Sequence, residues 1–270
     1  MKKLQVSFSP CPNDTFMFDA MINGKIDTEG LQFEAHLADV ETLNKKAIAG
    51  EAEISKLSFF AFANITEHYQ LLSSGSALGN GVGPLLISMK KFNDPEKEIK
   101  SIAIPGKNTT ANFLFRTFFP KLTNANEFIF SDIESAILDG KVDAGVIIHE
   151  NRFTYETKGL LKIADLGDLW EQKTKLPIPL GGIVVKRDLN ENVKKKVERI
   201  LCKSVEFAFA NPDSSSEYVK MHAQEMSTEV RKKHIELYVN AYSIDIGITG
   251  KQAIHEMFRI IGVSDENIFV

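Results

Sequence analysis

The sequence predicts an α/β fold in which mainly parallel sheets carry helices on both faces. The main observation is that short apolar strand patterns alternate with helical patterns along the chain before Asn190. The composition agrees, because 43% hydrophobic and 25% charged residues are typical of a globular protein. The length of 270 residues allows one large domain or two of ordinary size.

The expected elements follow in order from the N-terminus. Leu4, Val6 and Phe8 alternate with polar residues and predict the first strand. Asp39 has the position of an N-cap at the start of a predicted helix, which Gly50 ends. The strands are expected at 4–9, 31–37, 52–57, 85–89, 101–105, 142–148 and 176–186, the helices at 15–22, 39–50, 59–65, 110–119 and 131–139, and further helices in 190–270.

Two strand-like segments suggest that the fold has two lobes. The segments at 80–89 and 176–186 are predicted to be crossovers. The first lobe is then discontinuous, with residues 1–88 and 182–270, and the second lobe comprises residues 89–181. Hinged two-lobe α/β proteins bind small molecules in the cleft and close on them, so we expect a ligand cleft between the lobes.

Charge and cysteine content exclude several classes of function. The net charge of −4 includes no basic stripe, and the lysines at 194–196 fit a solvated helix face, so no nucleic-acid partner is expected. No apolar run is long enough to span a membrane, and the N-terminus has no signal-like apolar region. The two cysteines form no CxxC pattern, which is typical of a reducing compartment. We expect a cytoplasmic protein without a membrane partner.

Three loops are expected at the carboxyl ends of strands, where open α/β sheets bind their ligands. Asn13 or Asp14 is predicted to cap the helix after the first strand. Ser55, Lys56, Leu57 and Ser58 form the second segment, with Ser58 as the predicted cap of the helix that follows. Thr109 and Thr110 begin a helix in the third loop, where N–H and O–H groups and the helix dipole favour a carboxylate. Each loop by itself is also compatible with ordinary capping.

His149 is the candidate proton acceptor. It follows the apolar run Val146–Ile148 at the end of a predicted strand, and an imidazole suits proton abstraction near neutral pH. A hydrogen-bonded structural role is the alternative. The other histidines are weaker candidates, and we expect no metal site because no HExxH motif or His/Cys cluster is present.

A long and compositionally unusual motif carries a family resemblance. The run Ser-Pro-Cys-Pro-Asn-Asp-Thr-Phe at 9–16 closely resembles the signature of the 1,4-dihydroxy-6-naphthoate synthase family, which acts in the futalosine route to menaquinone. The similarity spans nearly the whole chain and includes the segments 54–58, 79–84, 108–111, 146–152 and 177–182.

The resemblance implies a type II periplasmic-binding-protein fold and a specific reaction. Members of the family convert cyclic dehypoxanthine futalosine into 1,4-dihydroxy-6-naphthoate without an organic cofactor or metal. The family's substrate-binding positions match Ser55, Lys56, Leu57, Thr109 and Thr110, and its proton acceptor matches His149. The expected partner is therefore a small-molecule substrate with a carboxylate.

The sequence is also compatible with other functions. The alternatives are a chorismate dehydratase of the same pathway, a non-catalytic small-carboxylate-binding protein and a cytoplasmic ligand sensor. Asp14 and Glu150 are candidates for a general acid. The sequence does not decide whether the side chain or the backbone of Lys56 contacts the substrate, nor the oligomeric state.

Overall fold

The computed structural model describes residues 3–223 and 227–270, and the chain divides into two compact units. Unit 1 comprises Met1–Gly79 and Pro179–Val270, and unit 2 comprises Asn80–Ile178. The predicted boundary at residue 88 leaves residues 85–88 in the first lobe, whereas these residues pair with strands of unit 2. The pairing of strands, which a linear pattern does not reveal, decides which unit a segment joins.

Strands and helices alternate through most of the chain. The strands are β1 (Lys3–Phe8), β2 (Gln32–Leu37), β3 (Ile54–Ser58), β4 (Tyr69–Leu71), β5 (Ala77–Gly79), β6 (Leu85–Ser88), β7 (Ile102–Ile104), β8 (Ala125–Glu127), β9 (Ala144–Ile147), β10 (Leu161–Asp165) and β11 (Ile178–Lys186). The helices are α1 (Pro12–Ile22), α2 (Val40–Ile48), α3 (Phe59–Ala63), α4 (Pro95–Glu98), α5 (Thr110–Phe118), α6 (Ile133–Leu138), α7 (Leu166–Thr174), α8 (Glu191–Ala210), α9 (Ser216–His222), α10 (Thr228–Tyr238), α11 (Ala241–Ile244) and α12 (Gly247–Ile261). Within the described residues, no helix has both the length and the apolar character needed to cross a membrane.

Unit 1 is built on a sheet with the strand order β2-β1-β3-β11-β4, and β5 pairs with β11. The inward-facing residues of β1 form the core with α1 and α8, and the rings of Phe8 and Phe18 stack at 4.4 Å. Burial of these large apolar side chains is the main stabilising contribution in such a core, roughly 1.5–3 kcal/mol for each.

Unit 2 is built on a sheet with the strand order β10-β6-β9-β7-β8. Its core places Leu85, Ile87 and Ile147 of the sheet against Ile133 and Ile137 of α6. Helix α6 approaches the sheet closely at Gly145, where an added Cβ would lie 2.5 Å from a methyl group of Ile133.

Both sheets are mixed, so the prediction of mainly parallel sheets is wrong in this respect. β1 pairs in parallel with β2 and β3, and β7 pairs in parallel with β8 and β9. β11 is antiparallel to β3 and β4, and β6 is antiparallel to β9 and β10. Parallel neighbours need a crossover connection, usually a helix. β6 and β11 each enter a sheet without a preceding helix from the same unit, and they pair antiparallel.

The start of α1 differs from the prediction, whereas the start of α2 agrees with it. Asp39 caps α2 by accepting hydrogen bonds from the N–H groups of Glu41 and Thr42. Helix α1 begins at Pro12, with Cys11 as its N-cap residue. The prediction that Asn13 or Asp14 caps this helix is wrong, because both lie inside its first turn. Proline suits the first helical position, since that position needs no N–H donor.

Gly83 and Gly167 pack backbone against backbone in unit 2. A Cβ added to Gly83 would lie 2.3 Å from both the Cα and the N of Gly167. We expect Gly83→Ala to lower the free energy of unfolding by about 3 kcal/mol in a urea titration, because backbone atoms cannot rotate away. The control is Gly81→Ala, where φ is +68° and nothing lies within 4 Å of the new Cβ. Its expected cost is about 1 kcal/mol, and equal costs for the two variants would contradict the close packing.

Glu29 connects the turn before β2 to α8. Its carboxylate accepts hydrogen bonds from Arg199 at 2.6 Å and Lys203 at 3.2 Å, which lower the pKa of Glu29 from 4.5 to about 2. The stabilisation is therefore present above the ordinary pKa and is lost as the pH falls through the folded-state value. We expect the Tm difference between wild type and Glu29→Gln to be constant near neutral pH and to shrink below pH 4.5. A difference of full size near pH 2 would disprove this.

Candidate functional site

The first group of candidate residues lies at one edge of the unit 1 sheet. β1 and β3 are parallel neighbours, with Val6 opposite Ile54 and Ser7 opposite Ser55. The segments 9–14 and 56–58 therefore lie at the same edge of the sheet, where the carboxyl ends of parallel strands meet.

Asp14 is the centre of the hydrogen bonds in the loop after β1. Its buried carboxylate accepts from the N–H of Ser9 at 3.2 Å and from the Ser9 hydroxyl at 2.6 Å. The Asn13 amide donates to it at 2.9 Å, and the Lys56 ammonium lies 3.3 Å away. A carboxylate with this many donors fixes the loop and the neighbouring strand relative to each other.

The Lys56 ammonium is bound inside unit 1. Besides the ion pair with Asp14, Lys56 Nζ donates to the backbone oxygen of Gly75 at 3.1 Å, and the residue is only 7% exposed. The sequence did not decide whether the side chain or the backbone of Lys56 contacts the substrate. The structure shows that the ammonium already has two protein partners.

The other residues of β3 have equally specific contacts. The Ser55 hydroxyl donates to the backbone oxygen of Lys56 at 3.1 Å, and Leu57 is buried. The N–H of Ser58 donates to Asn44 Oδ1 at 3.0 Å, and the Asn44 amide donates to the Ser58 hydroxyl at 3.2 Å. Ser58 precedes α3 but makes no side-chain capping bond, so that detail of the prediction is wrong. Its hydroxyl instead ties β3 to α2.

The second group of candidate residues lies at one edge of the unit 2 sheet. β7 and β9 are parallel neighbours, with Ile102 opposite Ala144 and Ala103 opposite Gly145. The loop before α5 and the turn that begins at His149 therefore lie at the same edge of the sheet.

Thr109 caps the start of α5. Its hydroxyl accepts from the N–H of Asn112 at 3.1 Å and donates to the backbone oxygen of Gly106 at 2.8 Å. Thr109 and Thr110 are both buried. The Thr109 hydroxyl is thus used to form the helix start, and the dipole of α5 still favours an anion beside Thr110.

His149 has a left-handed backbone conformation, with φ of +58°. It begins a 3₁₀ turn, His149–Phe153, which is separated from β9 by Ile148 alone, and it is half-buried. Its ring lies 4.9 Å from the ring of Phe130, centroid to centroid. Non-glycine residues in this conformation cost of order 1–3 kcal/mol and persist where the surroundings hold them.

Two neighbouring side chains hold this turn. The Asn151 amide donates to Glu134 Oε2 at 2.8 Å, and the same oxygen accepts from Lys158 at 2.6 Å. Arg152 donates to Asp165 Oδ2 at 2.7 Å and also to the backbone oxygen of Gly83. The turn is therefore tied to α6 on one side and to the start of α7 on the other.

Tyr155 is a further ionisable group close to this turn in sequence. Burial, together with its hydrogen bond to Glu156, raises the pKa of Tyr155 to about 12. The phenol is therefore protonated at neutral pH and donates to Glu156 Oε1 at 2.8 Å. A protonated phenol does not serve as a proton acceptor near pH 7.

We expect Asn151→Ala to destabilise the protein by about 1–3 kcal/mol, because the buried Glu134 carboxylate loses a donor. Chemical denaturation measures this cost. The control is Asn124→Ala in the same unit, where an exposed amide donates to the backbone oxygen of Lys100. That variant is expected to cost less than about 1 kcal/mol. Equal losses would mean that the Asn151–Glu134 bond contributes no more than an exposed one.

The structure brings the candidate residues together in two groups. Ser55, Lys56, Leu57 and Ser58 join Asn13 and Asp14 in unit 1, and Thr109 and Thr110 share a sheet edge with His149 in unit 2. Glu134 was not among the candidate residues, and His234 was only one of the weaker histidine candidates. Asn151 and Arg152 lie within the motif that ends at 152, whereas Glu134 and His234 carry no sequence signal of their own.

Solved structures define the class of fold. The chain superposes on a Candida albicans protein described as having the generic periplasmic binding protein fold, with a TM-score of 0.69, 15% identity and coverage of 99% and 94% of the two chains. It also matches AF1704 from Archaeoglobus fulgidus, with a TM-score of 0.89, 36% identity and coverage of 96% and 98%. The protein therefore has the periplasmic-binding-protein-like α/β fold.

The sequence comparisons define the family. The pattern described as "Menaquinone biosynthesis" matches residues 4–262. A Thermus thermophilus protein named 1,4-dihydroxy-6-naphthoate synthase is 41% identical over 258 residues, which cover 96% of this chain and 93% of that protein. The chain belongs to the menaquinone biosynthesis family.

Proposed function

We propose that this protein is a carbon–carbon lyase that converts cyclic dehypoxanthine futalosine into 1,4-dihydroxy-6-naphthoate. The observation that carries the proposal is the 41% identity, over 96% of the chain, to the Thermus thermophilus synthase. The motif at 9–16 and the segment 146–152, which contains the candidate base His149, support the same assignment.

In the proposed mechanism His149 is the general base. Its imidazole removes a proton from the spirocyclic substrate, and the electron pair left behind opens the ring. The sugar-derived fragment leaves and takes a proton from the general acid, and the imidazolium returns its proton to solvent. Formation of the new aromatic ring drives the reaction forward. This chemistry needs no cofactor or metal. A positioned base typically contributes about 10²–10⁴-fold to the rate, and the hydrogen-bonded turn around His149 supports this role.

The proposed substrate contacts divide between the two units. The start of α5 at Thr109 and Thr110 would bind the carboxylate, and the segment Ser55–Leu57 would contact the rest of the molecule, with Lys56 using its backbone. We propose that the substrate binds in a cleft that closes between the lobes, which would exclude water and orient the base. Hinged two-lobe proteins bind ligands in this way.

For the general acid we propose Glu150 rather than Asp14. The Asp14 carboxylate is occupied by Ser9, Asn13 and Lys56. In contrast, Glu150 Oε2 has no hydrogen-bond partner among the described residues. Glu150 follows His149 in the same 3₁₀ turn.

We also propose a cytoplasmic location, which is consistent with a small-molecule biosynthetic enzyme whose cysteines form no CxxC pattern.

Turnover by the purified protein tests the function. We expect cyclic dehypoxanthine futalosine to be consumed and 1,4-dihydroxy-6-naphthoate to appear in a chromatographic assay with mass detection. A parallel incubation with chorismate tests the dehydratase alternative, and calorimetry tests the binding-protein alternative. Dehydration of chorismate, or tight binding of the futalosine derivative without product, would replace the proposal.

A further inference from the structure

Helix α10 brings a buried histidine to the loop that follows β1. His234 is fully buried, and its Nε2 lies 2.9 Å from Asn13 Oδ1, although the two residues are 221 positions apart in the sequence. Its ring packs on Tyr238, one helical turn further along, at a centroid distance of 4.7 Å. This packing restricts rotation of the imidazole and keeps Nε2 directed at Asn13.

The chemistry of the neighbours fixes the direction of each hydrogen bond. A carboxylate only accepts, so the Asn13 group that faces Asp14 Oδ1 at 2.9 Å must be its NH₂. The oxygen of the Asn13 amide therefore faces His234 and accepts from it. It follows that Nε2 of His234 carries a hydrogen. If the Asn13 amide were turned the other way, its oxygen would face the Asp14 carboxylate and two acceptors would lie against each other.

The hydrogen-bond chain continues from Asp14 into both segments of the unit 1 sheet edge. Asp14 accepts from the Ser9 hydroxyl at 2.6 Å, and that hydroxyl accepts from the N–H of Cys11 at 3.3 Å. The other oxygen of Asp14 lies 3.3 Å from Lys56 Nζ. The imidazole is thus connected through Asn13 and Asp14 to the loop after β1 and to the Lys56 ammonium.

We propose that His234 is a positioning residue for substrate binding, acting through Asn13 and Asp14 on the loop after β1 and on the side chain of Lys56, which belongs to the segment Ser55–Leu57. The proposal rests on the proposed function, because it assigns the substrate contact to that segment. His234 does not touch the substrate. Its role is to supply one N–H donor at a fixed place, and the loss of that donor leaves Asn13 and then Asp14 free to shift.

Three substitutions of His234 test the role in steady-state kinetics. The amide nitrogen of glutamine reaches about as far as Nε2 of histidine, whereas that of asparagine is too short. We expect His234→Leu and His234→Asn to raise KM about tenfold, the equivalent of one lost hydrogen bond in a charged network, with a smaller change in kcat. His234→Gln is expected to restore KM to within about threefold of wild type. His222→Gln on α9, outside this chain of bonds, is the matched control.

The pattern among the variants distinguishes positioning from general stabilisation. A purely structural histidine would lower the amount of active protein without changing KM. If His234→Leu does not fold, the two polar variants decide. A lower KM for glutamine than for asparagine supports the proposal, and equal KM values overturn it.

Nuclear magnetic resonance of ¹⁵N-histidine-labelled protein tests the geometry without any turnover. We expect a slowly exchanging Nε2–H for His234 that is lost or shifted in Asn13→Leu. A hydrogen on Nδ1 alone would overturn the proposal. If the wild type does not convert the futalosine derivative but shows this Nε2–H, the proposed function fails while the hydrogen-bond geometry holds.

Discussion

Replacing His149 by asparagine is expected to lower kcat for the futalosine derivative by about 10²–10⁴-fold, with KM changed little. The amide cannot accept the proton at neutral pH. Asparagine is also among the residues that tolerate a left-handed backbone, so the turn at φ +58° should keep its conformation. Steady-state assays with product detection measure the effect, and an unchanged Tm shows that folding is retained.

The matched control for this prediction is His68→Asn. The His68 side chain is exposed in unit 1 and takes no part in the candidate site, so full activity is expected. Comparable rates for wild type and His149→Asn would remove the imidazole from the mechanism. Inactivity of the His68 variant would instead point to a general sensitivity of the fold to histidine loss.

Replacing Asp14 by asparagine is expected to cost about 3–5 kcal/mol of stability, the range for removing one partner of a buried ion pair. The Lys56 ammonium would then remain buried beside Gly75 without a counter-charge. The Tm should fall by on the order of 10 °C, given roughly 2–4 °C for each kcal/mol in a protein of this size. Thermal unfolding followed by circular dichroism is the measurement.

Two further variants isolate the role of the charge. Asp14→Asn combined with Lys56→Met should recover part of the lost stability, because the unpaired ammonium is gone. Asp188→Asn removes an exposed partner, 71% exposed and 3.8 Å from Lys186, and should change stability by less than about 1 kcal/mol. A single Asp14 variant as stable as the Asp188 variant would show that the buried pair is not an important stabilising feature.

The fold was predictable to the extent that local patterns determine it. The alternation in β1 and the N-cap at Asp39 both follow from short-range physics, and both predictions are confirmed. The positions of β6 and β11 were predicted, but their antiparallel pairing was not. Strand direction depends on which neighbour a segment meets, and that neighbour is far away in the sequence.

The candidate site, like the fold, was predictable only where local sequence determines it. The motif at 9–16 draws attention to Asp14, but its partner Lys56 is 42 positions away along the chain and only 3.3 Å away in space. The capping predictions for Asn13 and Asp14 failed because α1 begins earlier, at Pro12, and the one for Ser58 failed because its hydroxyl is bonded to Asn44. A side chain that can cap a helix forms a stronger contact elsewhere when a buried charge or amide needs it.

The sequence by itself determined the α/β class, the family membership through its motifs, and the position of His149 directly after a buried strand. Only the tertiary structure decided that Lys56 is neutralised by Asp14, that Glu134 and Asp165 hold the turn of His149, and that His234 reaches Asn13. The physical reason is the range of the interactions. Propensity and periodicity act over a few residues, whereas buried polar groups take whichever partner the folded chain brings within hydrogen-bond distance.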